Sequence, residues 1–119
     1  MALKTTSKTG KLAEDFAVNF LSQKGYKILT RNFRSRFGEI DIIAKDGDTL
    51  VFVEVKARWN RNFGLPEESV TASKIQKIIK TSQYYSLTHS NLPKKQRIDV
   101  LAIEIEDGKV TDTRIIVVS

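Results

Sequence analysis

Three residues of one predicted hairpin have the types and spacing for chemistry. Asp41 lies in Gly38-Glu39-Ile40-Asp41-Ile42-Ile43-Ala44. Glu54 and Lys56 lie in Val51-Phe52-Val53-Glu54-Val55-Lys56-Ala57-Arg58. Residues directly opposite on antiparallel strands point to the same face. If Gly47 and Asp48 form the turn, Asp41 lies opposite Glu54 and Glu39 opposite Lys56. If Asp46 and Gly47 turn instead, Asp41 and Glu54 are offset by two and still share a face. Only an odd-length loop separates them, and that register would put Ile40 and Ile42 on the other side from Val51, Val53 and Val55, wasting the core face. Two neighbouring carboxylates repel unless a cation neutralises them. Mg²⁺ suits the position, because it takes oxygen ligands and retains several waters, and Mn²⁺ would substitute for it. The backbone carbonyl of Val55, between Glu54 and Lys56, can add a ligand. Such an ion lowers the pKa of bound water and stabilises charge on a phosphoryl oxygen. Lys56 could orient or deprotonate the attacking water, or stabilise the developing phosphorane. The plainer alternative is a solvent-facing set of cross-strand charge pairs, each contributing about 0.2–1 kcal/mol. Ile43 and Phe52 share the face, which argues against a simply solvated surface.

The composition leaves room for this chemistry and little else. The chain has no cysteine and a single histidine, His89. Disulfide scaffolds, cysteine-based metal sites, thiol nucleophiles and histidine-rich metal sites are therefore excluded. Its 119 residues carry 20 Lys+Arg against 14 Asp+Glu, a net charge of +6. That excess admits nucleic acid, an anionic membrane surface or acidic proteins as partners, and does not choose among them. No apolar run approaches membrane-spanning length, and the first residues lack the apolar stretch of a signal peptide. The expectation is a cytoplasmic protein without a membrane partner, with residues 1–119 as one domain and residues 1–8 as a loose tail.

Hydrophobic periodicity supplies the elements that must position these residues. From Lys11 to Lys24, Leu12, Ala13, Phe16, Ala17, Phe20 and Leu21 recur at helical intervals, with Ser7 or Thr9 as a cap and Gly25 as the stop. Three strands are predicted over Tyr26–Phe33, Glu39–Lys45 and Leu50–Ala57, followed by a loop over 58–69. Thr71 caps a second helix reaching about Leu87, its inner stripe being Ile75, Ile78, Ile79, Ser82 and Tyr85. Lys74, Lys77 and Lys80 fall outside it or on its flank. Ile98–Ile105 is apolar at both parities, as expected of a strand covered on both faces. A turn at Glu106–Lys109 leads to a last strand, Val110–Val118. The order α-β-β-β-α-β-β gives an α/β sandwich with a mixed sheet.

The two hairpin segments resemble the YraN-like family of predicted endonucleases. The flanking Leu12-Ala13-Glu14-Asp15, Gly25-Tyr26-Lys27-Ile28-Leu29, Arg31-Asn32-Phe33 and Arg97-Ile98-Asp99-Val100 fit the same resemblance. That family is similar to archaeal Holliday-junction resolvases and the wider PD-(D/E)-X-K nucleases. The resemblance covers roughly residues 8–104. It implies a restriction-endonuclease-like αβββαβ core, a mixed sheet flanked by helices, and Mg²⁺-dependent cleavage of DNA phosphodiesters, including branched or structured DNA. Asp41, Glu54 and the Val55 carbonyl would hold the metal, with Lys56 as the catalytic lysine. Glu14 matches a further metal-linked carboxylate, against the alternative of a first-turn acid favoured by the helix dipole. Glu39 could support the metal ligands or bind a loop, and ranks below Asp41.

Arg31, Arg34, Arg36, Arg58 and Arg61 flank the motifs and could contact phosphates, which position a duplex without reading it. Lys74 could reach a phosphate from the second helix. Trp59 and Phe63 could stack on bases or anchor a loop. Gln76 or Gln83 could match a glutamine that some related nucleases carry on this helix. Asp99 is expected to pair with an arginine, and His89 to face solvent. Related resolvases cut two strands symmetrically, which would make a homodimer a fitting assembly. The competing functions are a nucleic-acid-binding module that keeps the fold without cleaving, and a small interaction protein whose basic surface meets an acidic partner.

Overall fold

The computed structural model describes residues 7–60 and 64–118. Two helices flank one five-stranded sheet. The elements are α1 (Ser7–Gln23), β1 (Lys27–Ser35), β2 (Gly38–Asp46), β3 (Thr49–Arg58), a 3₁₀ turn (Pro66–Ser69), α2 (Ala72–Thr88), β4 (Lys95–Glu106) and β5 (Lys109–Val117). The strands lie in the spatial order β1-β2-β3-β4-β5. Only β3 and β4 are parallel, with α2 as their crossover, so the sheet is mixed. This is an α/β fold compatible with a restriction-endonuclease-like core.

The local signals act as their chemistry dictates. Gly25 takes φ +93° after α1, a left-handed stop that glycine adopts without a Cβ penalty. Tyr26 N–H then donates back to Leu21 O at 3.0 Å. Thr71 caps α2, its side chain accepting from Lys74 N–H at 3.2 Å. Asp46 lies opposite Thr49, so Gly47 and Asp48 make the β2–β3 turn. Two details differ from the sequence reading. Helix α1 already runs at Ser7, ahead of the predicted start, so residues 7 and 9 lie within the helix. The expected loop over 58–69 holds the end of β3 and the 3₁₀ turn. The tail expected at residues 1–8 overlaps α1 at its end, and residues 1–6 lie outside the described residues.

Each helix covers one face of the sheet. On the α1 side, Ala13, Ala17 and Leu21 pack on Ile42, Ala44, Val51, Val53, Leu101 and Ile103. On the α2 side, Ile78 and Tyr85 pack on Ile40, Ile43, Leu50, Phe52 and Ile98. Burying each of the Leu, Ile, Val and Phe side chains stabilises by roughly 1.5–3 kcal/mol. In β4 every residue from Ile98 to Ile105 is buried, as the apolar run at both parities requires.

The expectation that Ile40 and Ile42 share one face is not met. They are two residues apart, yet Ile40 joins the α2 cluster and Ile42 the α1 cluster. Regular alternation is therefore broken at Asp41. The β2–β3 ladder ends at the rung Ile42–Val53. The β1–β2 ladder skips the rung at Asn32 and Asp41, and Asn32 itself takes φ +53°. A non-glycine residue in that region costs free energy, least for asparagine and aspartate, and such outliers gather at functional sites.

Candidate functional site

The broken rung opens the end of the sheet where β2 begins and β3 finishes. Freed from the ladder, Asp41 turns its carboxylate toward β3, where Oδ2 accepts the Val55 N–H at 2.8 Å. Glu54 keeps the parity of Phe52 and faces α2. It is buried, with 3% of its surface exposed. Asp41 and Glu54 thus converge as the hairpin register requires. Their contact has a large electrostatic consequence. Burial, then the contact with Glu54 and its charge, push the Asp41 carboxyl up to about 8, against the pull of the Val55 N–H. The protonated form of Asp41 is therefore favoured, as expected when like charges meet in a poorly solvated place.

Two ammonium groups complete the centre. Lys74, in the first turn of α2, brings Nζ to 2.6 Å from Glu54 Oε2. That oxygen is buried, and the Lys74 ammonium is its charge partner. Burial opposes the charge on Lys74, but Glu54 outweighs it and holds the Lys74 pKa above the ordinary value. Lys56, on the strand beside Asp41, is shifted the other way. Burial, and then the neighbouring Lys74 charge, lower its pKa, more than Glu54 and Asp41 raise it.

Two clefts meet at this centre, and both are lined by Glu39 and Asp41. The first, of about 770 Å³, lies on the α1 side with Glu14, Arg31, Asn32, Lys56 and Trp59 in its wall. The second, of about 410 Å³, lies on the α2 side with Glu54, Thr71, Ser73, Lys74 and Lys77. This end of the sheet is thus reachable from both faces.

The remaining candidates divide. Glu14 is buried in the first cleft, where its Oε1 accepts from Arg31 Nε at 3.2 Å and Asn32 Nδ2 at 2.9 Å. It also adds to the negative potential that raises Asp41. The reading of Glu14 as a first-turn acid fails, because α1 begins at Ser7 and its first turn holds no acid. Arg31 is engaged by Glu14 and, at 2.5 Å, by Asp15, so its guanidinium orients acids rather than standing free. Arg34 is exposed and only loosely paired with Glu39, at 3.6 Å. Glu39 therefore faces Arg34 and does not pair with Lys56. Arg36 is exposed and lies over the Phe37 ring. Arg58 closes β3, with a buried Nε that has no hydrogen-bond partner among the described residues. Trp59 packs against the α1-side core as well as lining the first cleft. Gln76 and Gln83 are both exposed and line neither cleft. Asp99 pairs with Arg97 at 3.0 Å, a structural link that also reaches Asp46 and Tyr26. His89 ends α2, exposed at one edge while its ring stacks on Tyr85. Arg61 and Phe63 lie outside the described residues.

Lys74 is expected from the sequence to reach a phosphate from α2; in the structure the first turn of the helix aims it at Glu54. Asn32 enters the sequence reading only within the motif Arg31-Asn32-Phe33, with no role of its own. An asparagine within a strand is a cue for a left-handed backbone, and here that backbone lets its side chain hold Glu14.

No group of three or more His, Cys, Asp or Glu side chains is arranged to hold a metal among the described residues. A cation here would rest on Asp41, Glu54, a main-chain oxygen such as that of Val55, and water. That donor set suits Mg²⁺, which is commonly bound through one or two carboxylates with waters retained. The facing Asp41 and Glu54 carboxyls and the buried Glu54 Oε2 would fit such a cation.

The fold and site define an α/β domain whose sheet end carries a paired-carboxylate, paired-lysine cleft. The chain belongs to the Uncharacterised protein family UPF0102, whose model matches residues 13–103 and so includes Glu14, Asp41, Glu54, Lys56 and Lys74. It is 52% identical over 94 residues to a UPF0102 protein of Persephonella marina, covering 79% of this chain and 81% of that one. A UPF0102 protein of Caldicellulosiruptor bescii is 49% identical over 109 residues, 91% of each chain. One from Dictyoglomus thermophilum is 44% identical over 104 residues, covering 87% of this chain and 88% of that one. Among the described residues no helix is long and apolar enough to cross a membrane.

Proposed function

We propose that the protein is a metal-dependent endonuclease that hydrolyses phosphodiester bonds of DNA, including branched or structured DNA. The observation that carries this reading is the buried Asp41–Glu54 pair with Lys56 beside it, set where two clefts join. A divalent cation would supply charge neutralisation at the phosphate and a more acidic water. Asp41 and Glu54 would hold it, with the Val55 carbonyl as a further ligand. Lys56 Nζ, its pKa lowered by burial and by Lys74, is suited to accept or donate a proton at the reacting oxygens. Glu14 adds negative potential at the rim of the same cleft. Arg34 and Arg36, exposed at the β1–β2 turn, are the arginines best placed to meet phosphates.

The Lys74–Glu54 ion pair favours a second reading, a nucleic-acid-binding module that neutralises its own acid and does not cleave. One experiment separates the two. Plasmid, single-stranded, flap and four-way-junction DNA are incubated with the protein in Mg²⁺, Mn²⁺ or EDTA, beside Asp41→Ala and Lys56→Ala. Cleavage that needs the ion and both residues supports the nuclease. Cleavage surviving either substitution would sink the proposed site. Salt-sensitive binding of every substrate with no cleavage would select the binding module.

A further inference from the structure

We propose that Lys74 is a resident counter-ion, occupying the cation position beside Glu54 in the metal-free protein and leaving it when a divalent cation binds. This rests on the metal-site reading above and adds a role for a residue outside the ligand set. Three observations carry it.

The first is the quality of the contact. Nζ lies 2.6 Å from the buried Oε2. The lysine therefore sets a full positive charge against that oxygen, where a hard cation would also stand. The second is a difference in exposure. The Lys74 side chain is 40% exposed while that of Glu54 is 4% exposed. The acid is buried, while the ammonium ends a long side chain beside the second cleft, lined by Thr71, Ser73 and Lys77. The third is charge balance. Asp41 and Glu54 face two ammoniums, Lys56 and Lys74, close enough to influence each other. A divalent cation added to that set would leave excess positive charge and crowd two ammoniums against it. Moving Lys74 Nζ into the second cleft removes the conflict. It also presents the ammonium to an incoming phosphate, so that metal and phosphate would each favour binding of the other.

The competition predicts that the wild-type protein binds Mn²⁺ more weakly than its two carboxylates alone would allow. In calorimetric titrations without DNA, Lys74→Gln should bind Mn²⁺ about tenfold more tightly than wild type, as removal of a competing charge requires. Lys74→Arg keeps the charge and should stay near wild type. Glu54→Gln should abolish the binding. Lysine acetylation read by mass spectrometry gives a second measurement on the wild-type chain, independent of any variant's folding. Lys74 should become several-fold more reactive on adding Mn²⁺, and the increase should vanish in Asp41→Asn.

Equal or weaker Mn²⁺ binding by Lys74→Gln, with binding still lost in Glu54→Gln, would overturn the counter-ion role and leave the metal site standing. Unchanged Lys74 reactivity in Mn²⁺-loaded wild type would do the same. No Mn²⁺ binding by wild type or Lys74→Gln would remove both the inference and the metal reading beneath it.

Discussion

Replacing Asp41 with asparagine should stabilise the metal-free protein. Asparagine is nearly isosteric with aspartate. It keeps an oxygen for the Val55 N–H that Asp41 now binds at 2.8 Å, and its Nδ2 can donate to Glu54. The gain arises from the proton that the wild-type site must hold. The Asp41 carboxyl stands at about 8 in the folded protein against 3.8 as its ordinary value, first because of burial and then because of Glu54. Between those values the unfolded chain has released a proton that the folded chain retains, so wild-type stability falls as pH rises from about 4 to about 8. At pH 7 the cost approaches ~4 kcal/mol, from about 1.4 kcal/mol per pH unit over roughly three units. The asparagine amide also loses water on burial, which reduces the net gain to about 2 kcal/mol. For a domain of this size that is a rise in Tm of about 8 °C. The gain should be under about 1 kcal/mol at pH 5 and reach its plateau above about pH 8. Urea unfolding of both proteins in EDTA, followed by circular dichroism from pH 4 to 9, measures it. The reasoning would be refuted if Asp41→Asn were less stable than wild type at pH 8, or if its gain did not change with pH. Saturating Mn²⁺ should reverse the order, because only the wild type keeps both carboxylates for the ion.

Other substitutions probe separate parts of the same structure. Lys56→Ala should lose DNA cleavage by about a hundredfold or more while Mn²⁺ affinity stays within a few-fold, separating its chemistry from metal binding in parallel activity and calorimetric assays. Gly38→Ala should cost about 1–3 kcal/mol in chemical denaturation. Its φ is +150°, and a Cβ there would stand 3.3 Å from Thr81 Oγ1. Asn32→Ala should cost about 1–2 kcal/mol through the left-handed backbone at φ +53° and the lost bond to Glu14, with Asn32→Gly recovering the backbone share. Phe52→Ala should cost about 3–5 kcal/mol, since the ring is 1% exposed between Tyr85 and the rest of the α2-side core.

Periodicity made most of the fold legible. The α1 stripe, the alternating strands and the Gly47–Asp48 turn are local signals, and the two helices and five strands follow from them. The convergence of Asp41 and Glu54 was legible for the same reason, because one hairpin holds both and its register is set by which side chains must be buried. Local pattern could not reveal the break in alternation at Asp41. Ile40 and Ile42 look equivalent in a period of two, and only packing against two different helices assigns them to opposite faces. It could not orient Lys74 either, which looks like any flank lysine until α2 crosses the sheet end. The pairing of Arg31 with Glu14 and Asp15 joins residues on separate elements, so no spacing predicts it. The sequence by itself therefore determined the carboxylates, the lysine beside them and the strands that carry them. The tertiary structure decided which charges are already neutralised, because burial and cross-element contact set that balance.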